Sequence, residues 1–319
     1  MSTPNSIRED VLGDFLLRAD AQPVLVDVGA SGAAYGAWSG FAHRSVFVGF
    51  DPDQREMNPD AGKGYAAYHI IPKIVDGPNT TGRAPFYLTE YPYCSSLLEP
   101  DHVALAPYIF ADLFKVEREV ELETTTLAAA MDALNLPAID WLKIDTQGRD
   151  LSVIMGLDEK RRDRLLCIDV EPGFSPFYKD EESFCQIHAA LTARGFWLAH
   201  LKCQHYPRVR ATTVKAAFGI DLKATDPAVR LFGPSPTAAE ARYLPSLEHL
   251  RRRNAPFRDY AISWTFAVST GLWGHALELA AAAKTIPGAD EPRVKILAQF
   301  MFDSIRQTVS GLAGSGARA

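Results

Sequence analysis

The chain has 319 residues, 47% of them hydrophobic and 23% charged. That leaves room for one large domain with an added region, or for two domains, and excludes disordered and collagenous proteins. Lys and Arg total 33 against 39 Asp and Glu, a formal net charge of -6, which excludes a general nucleic-acid binder. The tight basic run Arg251-Arg252-Arg253 reads as a solvated helix surface. Cys94, Cys167, Cys185 and Cys203 form no C-x-x-C pair, so neither a zinc knuckle nor a disulfide framework is indicated. The first 14 residues hold no apolar leader, and the chain reads as cytoplasmic. The longest uncharged stretch, residues 260–277, contains Ser263, Thr265, Ser269, Thr270 and two glycines, and reads as a packed helical segment rather than a membrane span.

Residues 11–18 predict a short amphipathic helix. Residues 23–28 form an apolar run ending in glycines, suited to a strand buried on both faces of a parallel sheet. A helix over residues 35–43 and a buried strand over 45–50 follow, the strand ending at Asp51. Residues 68–75 predict a third strand, and 84–89 another that pairs with it as a hairpin. Residues 116–123 alternate apolar and charged, so one face should be wet. Helices are expected over 125–134, 149–155 and 181–194, and strands over 139–144, 165–170 and 196–201. Beyond residue 204 prolines punctuate the chain and the pattern weakens, until helical spacing returns after Ser246. Trp264, Trp273 and Phe300 at that spacing read as core, with homodimerisation through this region the rival.

The βαβα alternation argues for an α/β fold: a doubly wound, mostly parallel sheet with a helical C-terminal appendage. The expected division is an N-terminal helix (1–22), a core (23–246) and a helical C-terminal region (247–319). Such sheets bind ligands at the carboxyl ends of their strands. Asp27 precedes the first glycine turn, and Asp51, Asp145 and Glu171 each end a predicted strand, so four carboxylates from four segments should meet near one edge.

The run Val26-Asp27-Val28-Gly29-Ala30-Ser31-Gly32 leads a strand through a glycine turn into a helix, where the backbone can approach a ligand. Asp51 lies 19 residues after Gly32, the spacing of a carboxylate that grips ribose hydroxyls. Together they specify an adenosine-type cofactor better than either does alone; the bland alternative is a tight turn in a core strand–helix unit. The nicotinamide fingerprint G-x-G-x-x-G and a Walker lysine are absent, which disfavours an oxidoreductase.

These segments, with Gly49-Phe50-Asp51-Pro52-Asp53, resemble class I S-adenosylmethionine-dependent methyltransferases of Rossmann-like fold. Ser95-Ser96-Leu97, Thr126-Leu127, Leu142-Lys143-Ile144-Asp145-Thr146-Gln147-Gly148, Gly156-Leu157 and Val170-Glu171 narrow the resemblance to the FkbM family. It covers residues 24–201, continues weakly through residues 240–244 as a closing antiparallel strand, and departs at Asp150, where the family commonly has glutamate. The resemblance implies methyl transfer from S-adenosylmethionine to an oxygen, usually of a sugar or polyketide. It places the methionine part on Asp27, Gly29, Ala30, Ser31 and Gly32, the ribose on Asp51, and the adenine near Val75 and Asp76.

A sugar hydroxyl is a weak acid, so a positioned base should help its methylation. Asp145 is the first choice as general base or substrate anchor, with Glu171 second. The bland alternatives are a helix N-cap for Asp145 and a structural ion-pair partner for Glu171. Lys143 points either at the site or at a buried carboxylate. Ser95 and Ser96 either line the site's mouth or serve turn chemistry. Tyr206 and Arg208 either contact a sugar or cover a sheet end. No metal ligand set is expected, although Asp145 and Glu171 could hold a divalent cation as a minority reading. The leading function is O-methylation of a sugar hydroxyl in a glycan or glycolipid. Rivals are an O- or N-methyltransferase of a natural product or peptide, and a cofactor-binding interaction protein without methyl transfer.

Overall fold

The computed structural model describes residues 9–30, 35–53 and 62–316. Helix α1 (Glu9–Ala19) leads into strands β1 (Val24–Val28), β2 (Val46–Phe50) and β3 (Ala67–Ile71). Short β4 (Ile74–Val75), β5 (Arg83–Thr89), α2 (His102–Leu105) and β6 (Val116–Thr125) follow. The chain then runs through α3 (Leu127–Ala133), β7 (Trp141–Ile144), α4 (Asp150–Met155), α5 (Glu159–Arg164), β8 (Cys167–Val170) and α6 (Phe184–Thr192). Strand β9 (Phe196–Tyr206), α7 (Ala211–Phe218) and β10 (Ser235–Pro245) precede four closing helices: α8 (Leu247–Arg252), α9 (Phe257–Ser269), α10 (Trp273–Ala283) and α11 (Pro292–Gly316).

Seven strands form one sheet in the order β3-β2-β1-β7-β8-β10-β9. Strands β3, β2, β1, β7 and β8 are parallel, and β10 runs antiparallel to both its neighbours. This is the doubly wound, mostly parallel sheet expected of the sequence. Strand order reverses between β1 and β7, which opens a crevice at their carboxyl ends. A smaller sheet, β4-β6-β5, stands beside that edge.

Side-chain parity divides the interior into two cores. Val24, Val26, Val28, Leu142, Ile144, Ile168 and Val170 face a layer built from α3, α4 and α6. Leu25, Phe47, Trp141, Cys167 and Leu244 face the other layer, which contains α1 and the C-terminal helices. The C-terminal helices are thus half of the sheet's cover. Phe15 of α1 packs on Trp264 of α9 and stacks on Phe300 of α11, with centroids 4.8 and 5.5 Å apart, so these aromatics are core. Arg258 of α9 grips Asp140 through two 2.8 Å hydrogen bonds, and Asp140 also accepts from the backbone N–H of Val24.

Three local expectations change. Residues 35–43 form two short 3₁₀ turns, Gly36–Trp38 and Ala42–Arg44, not a helix. Gly36 and Gly40 weaken helix formation there, while Trp38 and Phe41 are pulled into one core. The run 68–75 is broken at Pro72, whose ring removes a ladder donor, and its halves join different sheets. Strand β5 pairs with β6, not with β3. The weakly patterned stretch after residue 203 contains the far ends of β9 and β10, which pair antiparallel from Phe196 with Pro245 out to Tyr206 with Ser235.

Candidate active site at the sheet edge

Four charged residues stand in register across the face covered by the C-terminal helices. Asp27 of β1 pairs with Lys143 of β7, Lys143 with Asp169 of β8, and Asp169 with Arg242 of β10. Signs alternate along this row, so each charge has an opposite neighbour. Lys143 Nζ donates to Asp27 Oδ1 at 2.9 Å. Arg242 meets Asp169 with two bonds, Nε to Oδ1 at 2.7 Å and Nη2 to Oδ2 at 2.9 Å. Asp169 also accepts from Trp141 Nε1 and the Tyr35 hydroxyl. Burial alone would depress the Lys143 ammonium, but Asp27, Asp145 and Glu171 together hold it above its usual value.

At the switch point the backbones of β1 and β7 nearly touch. Gly29 has φ +85°, and a Cβ there would lie 2.3 Å from the Asp145 carbonyl oxygen, so only glycine fits. Past Asp145 the chain turns through Gln147 (φ 55°) and Gly148 (φ 111°) and is tied down on every side. Gln147 Nε2 donates to Asp145 Oδ1 at 2.6 Å. Ser96 donates to the Gln147 carbonyl, and Arg149 binds Asp76. Asp150, almost wholly buried, accepts from the Thr146 hydroxyl and N–H with one oxygen and from the Glu171 N–H with the other. Its carboxylate therefore joins the loop after β7 to the loop after β8.

Two cavities flank the end of β7, one lined by Ile144 and the other by the next residue, Asp145. One, the β8 cavity, encloses about 200 Å³ and is lined by Lys143, Ile144, Asp169, Glu171, His200, Glu240, Arg242, Thr270 and Leu272. The other, the β2 cavity, has Gly29, Asp51, Asp53 and Asp145 on its polar side and Ile74, Val75, Phe86 and Leu97 on its apolar side. Asp51 Oδ1 accepts from the Asp53 N–H at 2.8 Å, and burial pushes its carboxyl up to about 6. Glu171 has no hydrogen-bond or ion-pair partner for its carboxyl among the described residues. Burial, then Asp145, push it up to about 9 against the pull of Lys143.

A family profile described as the Methyltransferase FkbM domain matches residues 29–198, more than half of the 319 residues. The chain belongs to the FkbM methyltransferase family. No curated protein matches it. The FkbM domain match covers every lining residue of the β2 cavity except Val28. It omits His200, Glu240, Arg242, Thr270 and Leu272, so much of the β8 cavity in this methyltransferase is built from residues beyond the match.

The edge of the methyltransferase sheet brings together Gly29, Asp51 and Asp145 at one cavity and Lys143 and Glu171 at the other, while Asp27 reaches them through Lys143. Ala30 follows Gly29, and both donate their N–H to the Phe50 carbonyl. Ser31 and Gly32 lie outside the described residues. Asp76 does not line the β2 cavity; its partner Arg149 does. Ser95 lines that cavity, whereas Ser96 is buried beneath it with its hydroxyl spent on the Gln147 loop. Tyr206 and Arg208 line neither cavity: Tyr206 packs edge-on against Phe110, and Arg208 lies over Tyr108. Asp145 does not cap α4 with its side chain; the capping position is Arg149. Among the described residues no group of three His, Cys, Asp or Glu is placed to hold a metal ion, and no helix is long and apolar enough to cross a membrane.

The sequence reading missed Asp169, Arg242 and Tyr35, and marked Asp150 only as a departure from the family, not as a brace of the site. Asp169 did carry a signal: an acid inside the apolar run 165–170 must find a buried cation. Nothing local says that the cation is Arg242, 73 residues later.

Proposed function

We propose that this FkbM methyltransferase uses S-adenosylmethionine, bound in the β2 cavity, to methylate a sugar hydroxyl held in the β8 cavity. The observation that carries this reading is that two cavities flank the end of β7, with Asp145 in one and Lys143 and Glu171 in the other. The β2 cavity suits an adenosine-type group: Asp51 offers oxygens to ribose hydroxyls, and Val75, Phe86 and Leu97 offer an apolar wall to a flat base. Gly29 and Ala30 lie where the methionine part would be held. When bound, S-adenosylmethionine supplies a methyl group already activated on a sulfonium. The work left to the chain is to orient the acceptor oxygen, exclude water and take its proton.

Asp145 and Glu171 fit the last task as a pair. Glu171 has a free carboxyl facing the acceptor side, and a carboxylate of raised pKa is the stronger base once ionised. Lys143 stays charged, braces Asp27 and limits the mutual repulsion of the acids. A cavity lined by carboxylates, a lysine, an arginine and a histidine suits a polyhydroxyl acceptor, which can pair with donors and acceptors alike.

Calorimetric titration with S-adenosylmethionine and S-adenosylhomocysteine, with NADH as control, tests the cofactor. Both sulfur compounds should bind and NADH should not. Asp51→Ala should weaken binding about tenfold or more by removing a charged acceptor from the ribose. Labelled-methyl transfer to a sugar panel tests the acceptor. Asp145→Asn should leave cofactor affinity in place and reduce turnover by roughly 10²–10⁴-fold. Full turnover in that variant removes Asp145 from proton transfer.

A further inference from the structure

Between β9 and β10 the chain makes an excursion, residues 207–234, that the methyl-transfer reading does not use. It folds as α7, capped by Gly219 in the left-handed region, and a 3₁₀ turn, Pro227–Phe232. Val214 and Val229 anchor it, 1% and 4% exposed. The larger apolar residues do the opposite: Phe218 is 63%, Ile220 51% and Leu231 86% exposed, and Phe232 lies beside Phe218 with centroids 6.3 Å apart. Small residues inside and large ones outside reverses what burial within a free-standing chain would select. The excursion is also basic. Lys215 is paired with Asp221 at 2.6 Å, and Arg208, Arg210, Lys223 and Arg230 then stand against Asp226, in a chain whose net charge is -6.

We infer that this excursion docks on a bilayer surface carrying anionic headgroups, with Phe218, Ile220, Leu231 and Phe232 entering the interface and the basic side chains meeting the headgroups. Exposed aromatic and aliphatic side chains flanked by Lys and Arg are the composition of an interfacial anchor. Basic residues near an anionic leaflet add attraction that salt weakens. The occupant is chosen by charge: a second copy of this acidic chain would bring less compensation to the basic segment than an anionic lipid surface. The excursion grows from the strands that carry His200 and Arg242, and its root at Tyr206 lies six residues, roughly 20 Å of strand, from His200. Docking would thus hold the β8 cavity close to the surface. Binding of the excursion to vesicles requires neither cofactor nor acceptor.

The test is flotation of the full chain with vesicles of phosphatidylcholine containing about one third phosphatidylglycerol, against phosphatidylcholine alone. The chain should float with the anionic vesicles, less so as salt rises, and only weakly with the neutral ones. Phe218→Ser with Leu231→Ser should lower binding on the order of tenfold to a hundredfold. Lys223→Glu with Arg230→Glu should do so as well. All four side chains are exposed, so thermal melting should match the unsubstituted chain and show that each variant is folded. No flotation with anionic vesicles, or flotation unchanged in Phe218→Ser with Leu231→Ser, overturns the inference. So does sedimentation equilibrium that shows a dimer in the free chain and a monomer in that variant, which would assign the patch to a second copy.

Discussion

Glu171 is the residue whose ionisation should set the pH dependence of the reaction. Burial and Asp145 push its carboxyl up to about 9 from an ordinary 4.5, so it keeps its proton through neutral pH in the free protein. If it accepts the acceptor's proton, kcat/KM should rise about tenfold per pH unit at neutral pH and level near that value. Glu171→Gln should be slow and flat over the same range. The same group governs stability with a definite sign. The folded state binds its proton more tightly than the unfolded state does, so its contribution is full below 4.5 and declines as pH rises toward about 9. Melting temperatures of Glu171→Gln should therefore fall less steeply than those of the unsubstituted chain over the upper half of that window. A parallel decline would place the Glu171 charge elsewhere.

At the scale of elements, Asp150 determines how the loops after β7 and β8 sit relative to each other. Removing it strands the N–H groups of Thr146 and Glu171. Asp150→Ala should cost about 2–4 kcal/mol in urea denaturation. It should also reduce turnover more than cofactor affinity, because Asp51 and Gly29 do not depend on it. The short Asp150 side chain reaches both the hydroxyl and the N–H of Thr146 with one oxygen. Much of this architecture was legible beforehand. The apolar runs that became β2, β7 and β8 end beside Asp51, Asp145 and Glu171, while the charges inside the strands, Asp27, Lys143 and Asp169, sit opposite one another in register. The β9–β10 pair was not legible beyond residue 201. Its far half is half-exposed and edged with Pro207, Pro234 and Pro236, so neither apolar period nor composition marks it as strand. The division of residues 68–75 between two sheets was hidden for another reason: Pro72 marks the break, but the partner of each half lies far along the chain.

Across the whole molecule, the C-terminal helices are bound to the sheet's amino-terminal side by Arg258 and to its carboxyl side by the walls of the β8 cavity, where Thr270 and Leu272 stand. Arg258→Ala would leave Asp140, 1% exposed, without its cation. Loss of about 3–5 kcal/mol is expected, read by chemical denaturation, with the cofactor cavity itself intact in the fraction that folds. Truncation before α8 should yield an insoluble chain, since it bares Leu25, Phe47 and Trp141. The row of alternating charge has a consequence for assembly. Strand β10 is the last to join the sheet in chain order, and it must find β8 among several neighbours. In the native register Arg242 faces Asp169, while Ala241 and Tyr243 turn to the opposite, apolar face. A slip of one residue would drive the guanidinium into that oily side and leave Asp169 uncompensated. The ionic row therefore penalises every alignment of the closing strand but one, so the walls of the acceptor cavity inherit their positions from a charge match made strand by strand.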